Sequence, residues 1–357
     1  MFLRRIISAC CLVAATSVSA SAATTGQFVN GGELYFLRTD SEFALWYHYL
    51  KHRIVFDINW PDGGYEKSRV PDYVPAPLQY AWPDKVSQGF GVTDTAFVDR
   101  EGSQALSKTI TAALNRADDY VWYFPERHDY LKGAPQEWTD AVRDGVAAAR
   151  AKKAKLVLFG CFSKDGKSTN TPRFIAENAH SIERLPFDGV SVYLREDFQT
   201  SDQGLTRRLL SDRRISRNEL RRALAPLARA KPSFEMFLEA ELFLAPDVFD
   251  DSGWRVLIAN ARRMAAVLPE AGFKGILLDT ENYAAEKGWL SYSGPNLKEA
   301  QQKAFERGQA FRRALGELTI INTVATIYPM TDGHPWGKNY ELLGPFTAGM
   351  LDAAPQR

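Results

Sequence analysis

Short apolar, β-rich runs alternate with stretches whose apolar positions return at helical spacing along nearly the whole chain. The runs fall at 33–37, 88–92, 120–124, 156–159, 190–194, 234–242, 275–279 and 320–327. Helical periodicity predicts helices at 41–51, 103–116, 136–152, 172–185, 218–229, 253–268, 296–315 and 336–351. Ser103 is placed to cap one helix and Pro172 suits the first turn of another, while Gly272 and Gly316 follow helices at C-terminal stops. Strict alternation of strand and helix calls for parallel strands with right-handed crossovers, and eight such units close a (β/α)8 barrel. An open doubly wound sheet would carry a glycine-rich nucleotide loop after its first strand, but neither GxGxxG nor GxxxxGKS occurs. The expected fold class is α/β: a single (β/α)8 TIM-type barrel spanning 23–357.

Two segments depart from this rhythm. Residues 54–84 hold Pro61, Pro71, Pro75, Pro77 and Pro83 with Trp60, Tyr65, Tyr73, Tyr80 and Trp82, an irregular aromatic excursion too rich in rings for a linker. It is suited either to covering a binding cleft or to packing on an outer helix. The N-terminus has Arg4 and Arg5, an apolar stretch over 6–15, and small residues at Val18-Ser19-Ala20 and Ala20-Ser21-Ala22. This pattern predicts a secretory signal at 1–22 and export to the periplasm or beyond the cell. A lipoprotein reading rests on Ile7-Ser8-Ala9-Cys10, with almost no apolar segment before it. No other segment approaches the ~20 apolar residues of a membrane-spanning helix. Removal of the signal leaves Cys161 as the one thiol, within the apolar run LVLFGCF, where it reads as a buried small hydrophobe.

Composition narrows the function classes. With 357 residues, 45% apolar and 24% charged, the chain has material for a large core. A formal charge of +1 gives no electrostatic footprint for nucleic acid or for an anionic membrane surface. A monomer without a cofactor is expected.

Four stretches carry a resemblance to a known group. They are KLVLFGCF…PRFIAENAHSIERLPFDGVSVYL, FLEAELFL…ANARRMAAVLPEAGFKGILLDTENY, LLGPFTAGMLDAA, and DDYVWYFPERHDYL…PQEWTDAV. Together they resemble a little-characterised group of bacterial proteins labelled glycoside hydrolases, most specifically through GFKGILLDTENY. The resemblance implies a (β/α)8 barrel that cleaves glycosidic bonds. Its order is unusual. In that group the KLVLFG strand comes first and the VWYFPER strand last, whereas here residues 26–150 precede KLVLFG. A circular permutation accounts for this, with new termini after the LLGPFTAGMLDAA helix, and it predicts that Gly26 lies close to Asp352.

Parallel barrels build active sites at the C-terminal ends of their strands, so acids that end apolar runs are the candidates. Asp279, Glu281 and Tyr283 alternate at the end of GILLDTENY and would share one face. Two carboxyls there, about 7 Å apart along the strand, would hold different proton affinities, as acid and base require. Salt bridging to arginine, or helix capping by Asp279, are the plainer readings. Glycosidic hydrolysis ordinarily needs a second carboxyl, ~5–5.5 Å away for retention or ~6.5–9.5 Å for inversion. Glu126 beside Arg127 and His128, Glu33 after two glycines, Glu239 and Glu241 in FEMFLEAELFL, and Asp94 after QGFGVT are the candidates. The reading therefore places Glu281, Asp279, Glu126 and Glu33 in catalysis. Tyr283, Trp122, Tyr193, Tyr328, Asn322, Arg127, Asp94, Glu239 and Glu241 would bind substrate through stacking and polar contacts.

Other chemistries find less support. His48 and His52 are spaced as HYLKH without the glutamate of HExxH, and no GxSxG elbow occurs. The arginines at 207, 208, 213, 214, 217, 221 and 222 read as a solvated helical surface balanced by Glu and Asp, with binding of an acidic polysaccharide as the alternative. Two rivals to an ordinary two-carboxylate hydrolase remain open. Asp279-x-Glu281 is similar to the end of the DxDxE motif of chitinase-like barrels, where an acetamido sugar supplies the nucleophile, although Leu277 replaces the earlier aspartate. The other is a glycan-binding barrel without catalysis.

Overall fold

The computed structural model describes residues 27–32, 38–44, 47, 85–95, 97–149, 154–160, 169–194, 204–242, 244–280, 290, 292–323 and 341–355. Runs that are apolar on both faces suit strands covered inside and out, as a closed parallel sheet under crossover helices demands. Those runs form β1 (Phe28–Gly32), β2 (Val86–Thr93), β3 (Tyr120–Phe124), β4 (Lys155–Leu158), β5 (Gly189–Val192), β6 (Glu235–Glu241), β7 (Phe273–Asp279) and β8 (Thr319–Asn322). Each strand pairs in parallel with the next, and β8 pairs with β1, closing an eight-stranded barrel in chain order. The helices described around it are α1 (Ser103–Arg116), α2 (Gln136–Ala148), α3 (Pro172–Ile182), α4 (Leu205–Leu209), α5 (Arg217–Ala230), α6 (Asp251–Val267), α7 (Leu297–Leu315) and α8 (Leu343–Asp352). This is the expected (β/α)8 architecture. Among the described residues no helix is long and apolar enough to cross a membrane.

Alternation along the strands divides the core in two. Val29, Tyr120, Trp122, Val157, Phe159, Phe237, Leu277 and Ile321 fill the barrel interior. Their neighbours, among them Val121, Leu158, Leu238, Ile276 and Ile320, pack outward with residues of the helices. Trp122 takes so much of the interior that β2 carries glycine beside it: a Cβ on Gly89 would sit 3.0 Å from the Trp122 ring and 2.9 Å from the Tyr120 carbonyl oxygen.

Several boundaries differ from expectation. The first strand is Phe28–Gly32, whereas the expected strand at 33–37 lies outside the described residues. Glycines suggest a turn in sequence, yet Gly31 pairs in register with Gly89 within the sheet. The helix at 103 begins after Gly102, so Ser103 is its first residue rather than its cap, and no side chain caps it. Pro172 does open its helix, behind a capping Thr171. Lys85 donates to the carbonyls of Leu351 (3.3 Å), Asp352 (2.7 Å) and Ala354 (3.1 Å), which brings the end of α8 to the start of β2. Gly26, the signal segment at 1–22 and the excursion at 54–84 lie outside the described residues.

Candidate active site

The alternation that buries Phe237 and Leu277 inside the barrel also directs Glu239, Glu241 and Asp279 inward, at the C-terminal ends of β6 and β7. Glu239 is paired in register with Leu277, and Glu241 with Asp279. Neighbouring strands lie about 4.8 Å apart, so the backbones of Glu241 and Asp279 are close, and Glu239 lies about 7 Å deeper along β6. Glu239 is 6% and Glu241 9% exposed, while Asp279 is half-buried. Three carboxyls thus converge where a parallel barrel opens.

Their partners come from β5 and the connections beside it. In GVSVY, Ser191 and Tyr193 alternate with the outward Val190 and Val192 and so face the same interior as the acids. The Ser191 hydroxyl donates to Glu239 Oε1 at 2.5 Å, and Asn170 Nδ2 donates to the same oxygen at 2.6 Å. Asn170 sits just before the cap of α3, and its own carbonyl accepts the Tyr193 amide at 2.9 Å. Gly160, at φ 64°, turns the chain beyond β4 so that its amide donates to Ser191 Oγ at 2.9 Å. The Tyr193 hydroxyl donates to Glu241 Oε1 at 2.9 Å, and Arg207 of α4 places Nε 3.5 Å from Glu241 Oε2.

Electrostatics separates these groups. Burial pushes Glu239 up to about 7, helped by the neighbouring Glu241 charge and opposed by the Ser191 and Asn170 hydrogen bonds. Burial likewise raises the Tyr193 phenol, reinforced by Glu241, so its hydroxyl stays a donor. A carboxyl that holds its proton near neutrality beside a second carboxyl is an arrangement suited to proton transfer or to hydrogen-bond donation.

A second cluster occupies the rim at β2 and β3. Asp94 is fully buried and accepts from the backbone amides of Glu126 (2.8 Å), Arg127 (3.1 Å) and His128 (3.1 Å), and it meets His128 Nδ1 at 3.0 Å. His128 stacks on Trp138 with ring centroids 4.9 Å apart. Glu126 and Arg127 are exposed, and the Thr95 hydroxyl donates to Glu126 Oε2. Burial raises the Asp94 carboxyl against the pull of those amides.

The sequence candidates thus separate into groups. Glu239, Glu241, Asp279 and Tyr193 come together at the mouth above β5–β7, while Asp94, Glu126 and Arg127 gather across the ring. Trp122 is fully buried inside the barrel, where it fills the interior instead of offering an open face. Asn322 follows the interior residue Ile321 and pairs in register with the outward Leu278, which turns it from the mouth toward the helix layer. Glu281, Glu33, Tyr283 and Tyr328 lie outside the described residues, as does Cys161. Ser191 and Asn170 had not been singled out. The alternation that marks Tyr193 could have found Ser191, but nothing in the sequence marks Asn170. Arg208 pairs with Glu219 at 3.2 Å and Arg221 with Glu270 at 2.7 Å, as a surface balanced by acids expects, whereas Arg207 departs from it and reaches Glu241. Among the described residues no group of three or more His, Cys, Asp or Glu side chains is arranged to hold a metal ion.

No protein-family model matches the chain, and no curated protein sequence matches it. Solved structures similar to it include GH5_18 from Streptomyces cattleya in complex with GlcNAc, at 13% identity over 72% of this chain and 76% of that one, with a TM-score of 0.32. An endo-β-N-acetylglucosaminidase from Cordyceps militaris is similar at 12% identity over 68% and 83%, with a TM-score of 0.29. A Coccidioides immitis protein with a provisional fructose-1,6-biphosphate aldolase name is similar at 15% identity over 71% and 86%, with a TM-score of 0.27. Likenesses of this size carry no argument about chemistry. The barrel rests on its own strand pairing, and the function on the site.

Proposed function

We propose that the protein is a glycoside hydrolase that cleaves a poly- or oligosaccharide with carboxyl groups at the β6–β7 rim. The observation that carries this reading is the convergence of Glu239, Glu241 and Asp279 on adjacent strand ends, facing the barrel opening. Glu281, two residues beyond Asp279 in the chain, is our proposed general acid/base, with Asp279 tuning it. The second carboxyl, expected from sequence at Glu126 or Glu33, we assign instead to Glu241. The Tyr193 hydroxyl and the Arg207 guanidinium beside it are the partners an anionic nucleophile or base needs. Tyr283 would add ring surface for a sugar face, while the Tyr193 ring is fully buried and contributes through its hydroxyl on Glu241.

Hydrolysis of a panel of plant, fungal and bacterial glycans tests the reading. Glu281→Gln and Glu241→Gln each keep the side-chain shape and remove the titrating group, and each should lower turnover by about 100-fold or more. Undiminished turnover in Glu281→Gln overturns its assignment. Glycan binding without cleavage by the wild-type protein would replace the enzyme with a binding barrel, and potent competition by a thiazoline analogue would favour the substrate-assisted route. We also propose that 1–22 is a removable export signal, checked by the N-terminal sequence of the exported protein, and that the unusual order of the segments reflects circular permutation.

A further inference from the structure

The two oxygens of Glu239 have unequal surroundings. Oε1 accepts from Ser191 at 2.5 Å and from Asn170 at 2.6 Å. The direction of this network is fixed at its far end. The Gly160 amide can only donate, and it donates to Ser191 Oγ at 2.9 Å; Asn170 Nδ2, also a pure donor, lies 3.3 Å from that same oxygen. The Ser191 hydrogen is left to go to Glu239. Oε1 must therefore accept, and a proton on this carboxyl belongs on Oε2. Among the described residues no side chain donates to that atom, the Gly160 amide being the further donor near this carboxyl, and Glu239 stands on the inward face at the C-terminal end of β6 with 6% of its surface exposed.

Among the described residues the charged groups around Glu239 are mostly acids. Glu241 follows it on the same face of β6, and Asp279 stands beside Glu241 on β7. Tyr193, just beyond β5, and Arg207 on α4 both direct themselves to Glu241. Among the described residues no cation pairs with Glu239. A buried carboxyl with acids for neighbours and one oxygen already committed as acceptor is suited to staying neutral.

We propose that Glu239 is a neutral carboxylic acid whose Oε2–H donates a hydrogen bond to a substrate oxygen at the mouth, and that its ionisation weakens substrate binding. The ligand in this inference rests on the carbohydrate reading above; the protonation state does not. It accords with the rise of the group to about 7 on burial.

Two measurements test it. Carboxyl 13C resonances of the glutamate-labelled protein, assigned by the signal lost in Glu239→Gln, follow the proton directly. The expected midpoint is near neutrality, and Ser191→Ala, which removes a donor that favours the charged form, should move it to higher pH. A midpoint at an ordinary carboxylate value, or one that Ser191→Ala leaves in place, overturns the proposal. In activity, the wild-type KM should rise above neutral pH. Glu239→Gln, neutral at every pH and still a donor, should bind roughly tenfold less tightly with no such rise. Complete loss of function in that variant, or a KM limb that it preserves, also overturns the proposal. If no glycan is bound at all, the carbohydrate reading fails together with the binding role, while the resonance still decides the protonation state.

Discussion

Two carboxyls are buried at the rim of this barrel, four strands apart: Asp94 at the end of β2 and Glu239 on β6. Burial raises both. They differ in how their oxygens are used. Asp94 spends both, Oδ1 on the amides of Glu126 and Arg127, and Oδ2 on the amide and Nδ1 of His128. Four donors from one turn of chain make it the anchor of the connection after β3. Glu239 commits one oxygen to two side-chain donors, and among the described residues no side chain donates to the other. Burial and a raised proton affinity therefore do not by themselves mark a reacting group. An oxygen left over after the structure has been satisfied does.

The sharpest way to break this contrast is to delete the anchor. Asp94→Ala removes the acceptor shared by three backbone amides and an imidazole, and should cost roughly 3–5 kcal/mol, measured by denaturant unfolding. A loss under about 1 kcal/mol would mean that water satisfies the loop as well as the carboxylate does, and Asp94 would return to the list of candidates for chemistry.

Glu239 should behave in the opposite way, because here the side chain itself strains the fold at high pH. Its proton affinity is raised from an ordinary 4.5 to about 7. Below pH 4.5 it is neutral in both folded and unfolded chains. Between these values the folded protein keeps a proton that the unfolded chain has released, so stability from this group falls as pH rises. Above about 7 the fold must carry the buried charge. Glu239→Gln removes that burden, and its stability relative to wild type should grow by roughly 3 kcal/mol between about pH 4 and pH 8. A gap that stays constant with pH would mean that folding leaves the proton affinity of Glu239 unchanged, and the neutral-acid reading of this group would fail.

The contrast was only half legible in the sequence. Apolar runs buried on both faces and helices of 3.6 periodicity gave the barrel, because those patterns are local and recur in every unit. Period-two alternation in FEMFLEAEL also placed Glu239 and Glu241 on one face, and GILLD placed Asp279 on the face of Leu277. The first strand was displaced because FVNGG contains the glycines of a turn, and only the bulk of Trp122 within the closed barrel explains why glycine is needed in the neighbouring β2. Asp94 and Glu239 look alike as acids near strand ends. What separates them is supplied by Asn170, Gly160 and the 126–128 amides, which reach them through loops whose course no periodicity encodes. Within the arginine-rich stretch only Arg207 escaped for the same reason: charge count cannot tell it, reaching Glu241, from Arg221, which pairs at the surface.

Glu241 stands between the two cases and gives the finest test. One of its oxygens accepts the Tyr193 hydroxyl at 2.9 Å, and the other lies 3.5 Å from Arg207 Nε, a longer and looser contact. If donors per oxygen set the balance between anchoring and chemistry, Glu241 should be held in place yet contribute modestly to the fold. Tyr193→Phe keeps the fully buried ring and removes one donor. The expected loss is about 1–2 kcal/mol, smaller than for Asp94→Ala, because a single hydrogen bond to a carboxylate is given up and Arg207 remains. Urea unfolding of this variant at neutral pH measures it. A loss as large as that of Asp94→Ala would make Glu241 a second anchor, and the nucleophile or base would then have to be sought at Asp279.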